Sequence, residues 1–426
     1  MSKIEELIEK LCPNGVEFKK LEEITKSIKI GINPRKFFKL NPVDSTGFYV
    51  TVRELNGLKG VKEYEKTDKI NDEAIQIINN RANIEKGDIL FSNTGTVGKL
   101  ALVNETPINW GVNEGIYIIK PIKEKILSKY LYYYLDSSHA YKDYSSKFTG
   151  STLKHVTQKA LTSLIVAVPP MEVQCEIAHI LDDFTLLSVE LSAELKARQK
   201  QYDYYSEKLL NNIETKEISF GDACDVVTDY VAAGSFGDIA KNVQYINTPD
   251  YAQLIRTVDI KNNFQKADYI YVSKNAFNYL WRVNLDKECV ILPNIGVNCG
   301  EVYYLSPEML KYEKNVLGPN AILVRSNTNN IKYLSYLFKT RYFQKQLRKI
   351  ISPAGQTKFN KTELKKLILH LPSKEIQENI VEKLDKLDEI CNNINNGLPA
   401  EIEARQKQYE YYRDKLLTFK ELKVNE

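Results

Sequence analysis

The segment ARQKQYDYYSEKLL, Ala197–Leu210, recurs as ARQKQYEYYRDKLL, Ala404–Leu417, 207 residues further along the chain. The copies differ at three of fourteen positions. Asp203/Glu410 and Glu207/Asp414 keep the charge, whereas Ser206/Arg413 changes the chemistry. Aligning outward extends the likeness. VPPMEVQCEIAHILD (Val168–Asp182) lies over LPSKEIQENIVEKLD (Leu371–Asp385), and LSKYLYYYL (Leu127–Leu135) over NIKYLSYLF (Asn330–Phe338), both at an offset of 203. FTGSTLK (Phe148–Lys154) matches SPAGQTK (Ser352–Lys358) at 205, on glycine and threonine, and SNTGTVG (Ser92–Gly98) falls near PNIGVNC (Pro293–Cys299) at 201. Steady offsets with small drifts describe one unit built twice, with insertions in its loops.

Each unit has two parts. The first mixes short β-rich runs such as GIYIIKPI and ADYIYVS, set between Gly, Asn and Pro, with tyrosine-rich helical stretches. It reads as a compact α/β globule. The second is a long helix. From Glu172 to Asn212 there is no proline or glycine, and apolar or tyrosine residues stand at 177, 181, 184, 191, 195, 202, 205 and 209. This alternating spacing of four and three marks a coiled-coil seam, with Ser188 and Arg198 as polar exceptions. In the second copy NNINNGLP (Asn392–Pro399) interrupts the helix, Gly397 ending one piece and Pro399 opening the next. A single apolar seam needs a partner, and the two copies can supply each other. The expected fold class is α+β: two α/β globules separated by an antiparallel coiled coil of two long helices, by internal duplication. The expected boundaries are 1–170 and 213–373 for the globules, 171–212 and 374–426 for the helices.

Charge follows the same division. Residues 1–170 hold 25 basic and 20 acidic residues, 171–212 hold 4 and 8, 213–373 hold 21 and 15, and 374–426 hold 9 and 12. The net charges are +5, −4, +6 and −3, so basic globules alternate with acidic helices. The Met1–Lys10 segment carries acids among its apolar residues, unlike a signal peptide, and no apolar run approaches the ~20 residues needed to span a bilayer. Six cysteines are scattered without a CxxC pair. That pattern suits reduced, buried thiols in a cytosolic protein, not a disulfide framework or a zinc site.

Catalytic chemistry finds little support. NTGTVGKL (Asn93–Leu100) lacks the first glycine of a phosphate loop and has Leu100 where a magnesium-binding hydroxyl belongs, so a hairpin turn is the better reading. NTPDY (Asn247–Tyr251) lacks the double proline of an adenine-methyltransferase motif, with no glycine-rich cofactor loop before it. His139, His155, His179 and His370 are isolated. A non-catalytic binding protein is expected, with no cofactor and no metal of its own.

Basic and amide side chains at turn-like positions suit phosphate contact and bidentate reading of guanine and adenine edges. In the first globule these are Arg35, Lys36, Arg53, Asn56, Lys59 and Lys62, joined by Asn93, Thr94, Thr96 and Lys99 of the hairpin. In the second they are Arg256, Lys261, Asn262, Arg341, Lys345, Arg348 and Lys349. Gly150-Ser151-Thr152 with Lys154, and Gly355-Gln356-Thr357 with Lys358, could hold a phosphate on backbone amides or simply cap a turn.

The layout resembles the specificity subunit of type I restriction-modification systems. The resemblance rests on two differing globules, each followed by a Pro-x-x-x-x-Gln-x-x-Ile…Leu-Asp helix that ends in the repeated segment. Here these residues are Pro170, Gln174, Ile177, Leu181 and Asp182, with one residue fewer between proline and glutamine, then Pro372, Gln377, Ile380, Leu384 and Asp385. LCPNGVEFKKLEEI (Leu11–Ile24) and GDILFSNTGTVGK (Gly87–Lys99) also look like family segments. The resemblance implies two target recognition domains, each reading one half of a bipartite double-stranded DNA site, and helices that fix the unread spacer. It implies two methyltransferase subunits that use S-adenosylmethionine, a translocase-nuclease subunit, and no membrane partner. Arg198, Gln199, Lys200, Arg405, Gln406 and Lys407 are the expected docking residues, with Tyr202, Tyr205, Tyr409 and Tyr412 packing the seam and Ser206/Arg413 marking where the two docking faces differ. The dissimilar globules imply two different half-sites. A protein-only scaffold, or the specificity chain of a fused type II-like system, is the alternative.

Overall fold

The computed structural model describes residues 3–150, 154–211, 215–265, 268–352, 357–392 and 397–422. The chain forms two compact units, Met1–Ser192 with Glu401–Glu426, and Ala193–Ala400. The central helix Met171–Asn211 is continuous over 41 residues and gives its first part to one unit and its last part to the other. The second helical region is the pair Lys374–Asn392 and Leu398–Leu416, with a bend at buried Gly397. Neither unit therefore ends where a globule meets its own helix.

The duplicated topology is complete. In the first unit a four-stranded antiparallel sheet runs Thr25–Ile30, Ile116–Pro121, Ile89–Ser92, Leu100–Leu102. In the second the order is Val226–Asp229, Ala321–Arg325, Cys289–Pro293, Tyr303–Leu305. Each unit adds a three-stranded sheet with one parallel pair, Gly47–Val50 beside Trp110–Val112 and Ala252–Ile255 beside Asn315–Leu317. A two-stranded ribbon completes each, Glu17–Lys20 with Ile165–Val168 and Lys216–Ser219 with Ile368–Leu371. The central strands read as unbroken apolar runs because both faces are covered, as with Ile89, Leu90 and Phe91, all 0% exposed. Cys175, expected inside, is exposed, since it lies on the outer face of the central helix.

The signature residues of the helices turn inward and hold the frame. Gln174 and Gln377 are each 1% exposed. The Gln174 carbonyl accepts from the Leu127 amide at 2.8 Å, ahead of the helix Ser128–Leu135, and its NH₂ donates to the Pro169 and Lys125 carbonyls at 2.8 and 3.1 Å. Gln377 accepts from the Asn330 amide at 2.9 Å, ahead of the helix Ile331–Lys339, and donates to the Pro372 carbonyl at 3.0 Å and Asn329 Oδ1 at 2.9 Å. An amide side chain suits this place because helix starts leave N–H groups without partners. Asp182 takes the Tyr133 hydroxyl at 2.7 Å and the Lys129 ammonium at 2.5 Å. Asp385 takes Tyr336 at 2.6 Å and Lys332 at 2.7 Å.

The repeated segment reaches the other end of the same scaffold. Glu207 Oε1 accepts from the Arg341 amide at 2.9 Å and so caps the helix Arg341–Ile350. Asp414 Oδ1 accepts from the Ser138 amide at 3.1 Å and caps the helix Ser138–Ser146. The charge kept between the copies is an N-terminal cap, favourable to the helix dipole in both units. Helix segments pair antiparallel. In the first unit Phe184 stacks on Tyr412 (5.6 Å, 23°), and Ser188 and Val189 face Gln406 and Tyr409. In the second Tyr202 sits beside Asp388 and Cys391. Tyr202 and Tyr409 are half-buried as expected of the seam, but Tyr205 and Tyr412 are 40% and 37% exposed. They lie at its margin, because 3.6 residues per turn carries every third residue away from a shared stripe.

Candidate nucleic-acid interface

In each unit a hairpin at one end of the four-stranded sheet is stitched to the loop that precedes the last strand. In the first, the Gly95 amide donates to the Lys154 carbonyl at 3.2 Å and the Val156 amide to the Asn93 carbonyl at 3.0 Å, with Thr149 and His155 bridging across the loop. In the second, the Gly296 amide donates to the Thr357 carbonyl at 2.9 Å and the Phe359 amide to the Asn294 carbonyl at 3.1 Å, with Ser352 and Lys358 bridging. Gly95 and Gly296 hold φ +70° and +94°, and nothing would meet a Cβ at either, so backbone conformation alone demands glycine there. The hairpins are thus counterparts despite their dissimilar sequences, and the backbone contacts of one carry over to the other.

The same bonds correct the loop alignment. Thr149 corresponds to Ser352 and His155 to Lys358, an offset of 203, not 205. Matching glycine to glycine shifted the register, whereas the backbone bonds place Lys154 opposite Thr357. Ser151, Thr152, Gln356 and Gly355 lie outside the described residues.

Further contacts gather part of the candidate set around the first hairpin. Lys99 Nζ donates to the Val52 and Arg53 carbonyls at 2.8 and 3.3 Å, tying the hairpin base to the 51–54 turn. Asn33 Nδ2 donates to Glu114 Oε1 at 2.6 Å, bringing the turn that carries exposed Arg35 beside residues 113–115. The side chain of Lys36 lies outside the description. Thr96 and Lys154 are exposed at the tip, Thr94 half so. Asn93 is not a surface reader. It is 1% exposed and its Nδ2 donates to the Glu114 carbonyl at 3.0 Å. Its hairpin position hid that role; the amide stitches the hairpin to a neighbouring turn, as Asn294 does to Phe359 at 3.2 Å.

Arg53 and Arg256 each grip a buried acid. Glu54 is 0% exposed, and its carboxylate accepts from Arg53 Nε at 2.7 Å, Thr51 Oγ1 at 2.6 Å and Thr67 Oγ1 at 2.8 Å. Burial pushes the Glu54 pKa up, but these bonds together leave it below the usual glutamate value. Asp259, 3% exposed, accepts from Arg256 Nε at 2.9 Å and Nη2 at 2.7 Å. That hydrogen bonding raises the Arg256 pKa against the cost of burial. Lys261 is held by Asn298 Oδ1 (2.8 Å) and Glu301 (2.7 Å) at the second hairpin, and Asn262 donates to the Val258 carbonyl at 2.9 Å.

The remaining candidates divide. Asn56 and Lys59 line a cavity with Tyr132, Gln406 and Tyr409, against the helical frame and not with the hairpin. Lys62 is exposed and sits 5.2 Å from the Tyr64 ring centre. On the helix Arg341–Ile350, Arg341 stands at the capped end beside Glu207, whereas Leu347 packs near Gly300 at the hairpin base, so exposed Arg348 lies towards the hairpin. Lys345, Lys349 and Lys358 are exposed. The tips differ in character. The first shows threonine, and the second shows Val297, 103% exposed, beside a cavity of about 530 Å³ lined by Tyr230, Phe236, Tyr245, Asn294 and Asn320. Sequence reasoning missed this cavity because its walls come from four separate stretches.

Known proteins fit this geometry. The description "Type I restriction modification DNA specificity domain" matches the chain twice, over residues 13–201 and 200–404. The chain belongs to that family. A Haemophilus influenzae protein assigned as a type I restriction enzyme specificity subunit is 30% identical over 344 residues, covering 76% of this chain and 81% of that one. The specificity subunit of the Escherichia coli type I restriction enzyme EcoR124I/EcoR124II is 29% identical over 317 residues, covering 69% and 72%. Among solved structures, the type I restriction-modification S subunit of M. genitalium has the same fold, with TM-score 0.52 and 15% identity over 95% of this chain and 96% of that one. A chain from a structure of type I restriction-modification complex assembly gives TM-score 0.63 at 14% identity, covering 95% and 98%.

On this type I specificity subunit the expected docking residues are occupied along their own helices. Arg198 bonds Glu194 (3.3 Å) and Gln201 (3.1 Å), and Arg405 bonds Glu401 (2.7 Å) and Gln408 (2.8 Å). Gln199 donates to Asp203 at 3.4 Å and Gln406 to Glu410 at 2.8 Å, while Lys407 pairs with Glu403 at 2.6 Å and Lys200 is exposed. The stronger surface signal is aromatic. Tyr204 and Tyr411 are 61% and 62% exposed, and each meets the next tyrosine edge-on at 5.3 Å. Arg413 is 11% exposed and faces Asp136, so the Ser206/Arg413 difference lies against the globule and not on a docking face. Among the described residues no metal-ligating cluster exists, and no helix is long and apolar enough to cross a membrane.

Proposed function

We propose that this specificity subunit reads an asymmetric bipartite DNA site, one half with each globule, and contributes no catalytic group. The helical frame sets the unread interval and carries two methyltransferase subunits, each bringing S-adenosylmethionine, with a translocase-nuclease subunit completing the restriction assembly. The observation that carries this reading is a duplicated scaffold, matched in strand order and in its hairpin backbone bonds, that presents two hairpins of different chemistry. Sequence is read by side chains at base edges, so identical scaffolds with dissimilar tips call for dissimilar half-sites. The exposed tyrosine pairs support two like docking surfaces, because aromatic residues dominate the buried centres of protein interfaces.

Co-expression with the neighbouring methyltransferase, followed by genome-wide mapping of methylated bases, tests this. The expected result is methylated adenine in a bipartite, non-palindromic motif. A palindromic motif would remove the asymmetric assignment, and no motif would remove the proposal itself. Binding of the assembled complex to that DNA is expected to weaken steeply with salt, as phosphate contacts release counterions.

A further inference from the structure

The difference between Ser206 and Arg413 is matched by a difference on the globules. Arg413 Nη1 donates to Asp136 Oδ2 at 2.8 Å, and its guanidinium lies 5.5 Å from the centre of the Tyr409 ring. Asp136 directly follows the helix Ser128–Leu135. Burial pushes its carboxyl pKa up while Arg413 pulls it down. The scaffold bonds shared by the two units put Lys339, 203 residues on, at the place of Asp136. The helix residue at the place of Arg413 is Ser206, its hydroxyl shielded from solvent beside Tyr202. Tyr202 in turn is the counterpart of Tyr409. Lys339 is an exposed residue whose ammonium lies 5.8 Å from the Tyr336 ring centre, where partial desolvation pushes its pKa down while Asp388 pulls it up. The globule's charge has reversed between the units, and the helix has given up its cation where the globule acquired one.

We propose that Arg413 with Asp136, and Ser206 with Lys339, form a charge key that assigns each copy of the helical segment to its own globule. An arginine at 206 would bring a second cation to Lys339. A serine at 413 would leave Asp136 without its partner. Exchange between unlike segments, within one chain or with a second copy of it, is therefore disfavoured, although fourteen-residue segments differing at three positions would otherwise be interchangeable. The flanking differences, Asp203/Glu410 and Glu207/Asp414, keep the charge, and Glu207 and Asp414 cap a globule helix in each unit alike, so the change of charge in the segment is confined to Ser206/Arg413.

Segment transplants in the full chain test the key by thermal unfolding. Asp203→Glu with Glu207→Asp, which keeps a carboxylate at the Arg341 helix start, gives the reference midpoint. Adding Ser206→Arg is expected to lower it by about 5 °C, less so in high salt because screening weakens the repulsion. Lys339→Asp is then expected to restore most of the loss, and Asp136→Lys, in the other unit, none of it. The reverse transplant, with Arg413→Ser, is expected to be rescued by Asp136→Lys and not by Lys339→Asp. If the Arg413→Ser chain does not fold, Arg413→Lys should unfold near the wild-type midpoint and Arg413→Gln below it. Transplants as stable as wild type, rescue from the wrong unit, or equal behaviour of Lys and Gln at 413 would each overturn the key.

Discussion

Gln174 and Gln377 do the same work with the same atoms, whereas Arg53 and Arg256 do the same work from different positions. Both glutamines start a globule helix with the side-chain carbonyl and anchor to the proline turn with the NH₂. Glu54 and Asp259 are counterparts too, each closing the capping box of a short helix. Yet one arginine precedes its acid by one residue and the other by three. The glutamine anchors of the frame have been kept residue by residue. In the globules the buried acid is kept and the route by which a cation reaches it is not.

Truncating the glutamines is the strongest way to test the comparison. Gln174→Ala and Gln377→Ala each leave three groups without their partner, one of them buried and two part-buried, an expected cost of about 2–3 kcal/mol in urea unfolding. The two losses should be alike, and a clear inequality would break the equivalence of the frames. The arginines should be unequal. Arg256 is 26% exposed and serves both oxygens of Asp259, so Arg256→Ala is expected to cost about 2–3 kcal/mol. Arg53 is 48% exposed and Glu54 keeps two threonine donors, so Arg53→Ala is expected to cost about 1 kcal/mol.

Glu54 adds a pH test. Its folded pKa lies below its unfolded value, so its contribution is complete above the unfolded pKa and is lost as pH falls through the folded one. Glu54→Gln should therefore flatten the acid limb of the stability curve below about pH 4.5 and leave its neutral shape unchanged. At the hairpin tip, Lys154→Ala is expected to weaken DNA binding by about 1 kcal/mol and lower the salt slope by about one. The smallest effect on folding is expected for Tyr204→Ser and Tyr411→Ser, within about 0.5 kcal/mol, with a measurable loss in capture of the methyltransferase subunits. Unchanged capture would move docking away from the tyrosine pairs.

The long helix was legible because nothing in 172–212 interrupts it and its apolar spacing is regular; the observed span, Met171–Asn211, agrees. The break near Gly397 was legible from its Gly-Leu-Pro punctuation, whereas the antiparallel direction was an inference, since the long segment between the helices allows either. The duties of the signature residues were not. Asp414 and Glu207 show in the sequence only as a kept charge, and their role depends on a helix start more than 130 residues away in sequence. The loop register was misjudged because glycine identity is a weaker guide than the backbone bonds that glycine permits. Asn93 read as exposed because turns usually are, whereas this turn is covered by its neighbour.

In the second unit the chain passes without interruption from Leu210, 3% exposed, towards the strand Lys216–Ser219. In the first unit, Leu417, 2% exposed, does the work of Leu210, and the strand that follows in space, Glu17–Lys20, comes from the opposite end of the sequence. The join is a parallel bridge between Val16 and Glu421, with the Val16 amide donating to the Lys420 carbonyl at 2.9 Å and the Leu422 amide to the Val16 carbonyl at 2.9 Å. One unit is thus closed by a peptide bond and its twin by hydrogen bonds that can fray. Opening the first costs a few weak links, while opening the second requires breaking a covalent chain. A protease probing the native protein should find its first cut at that non-covalent seam.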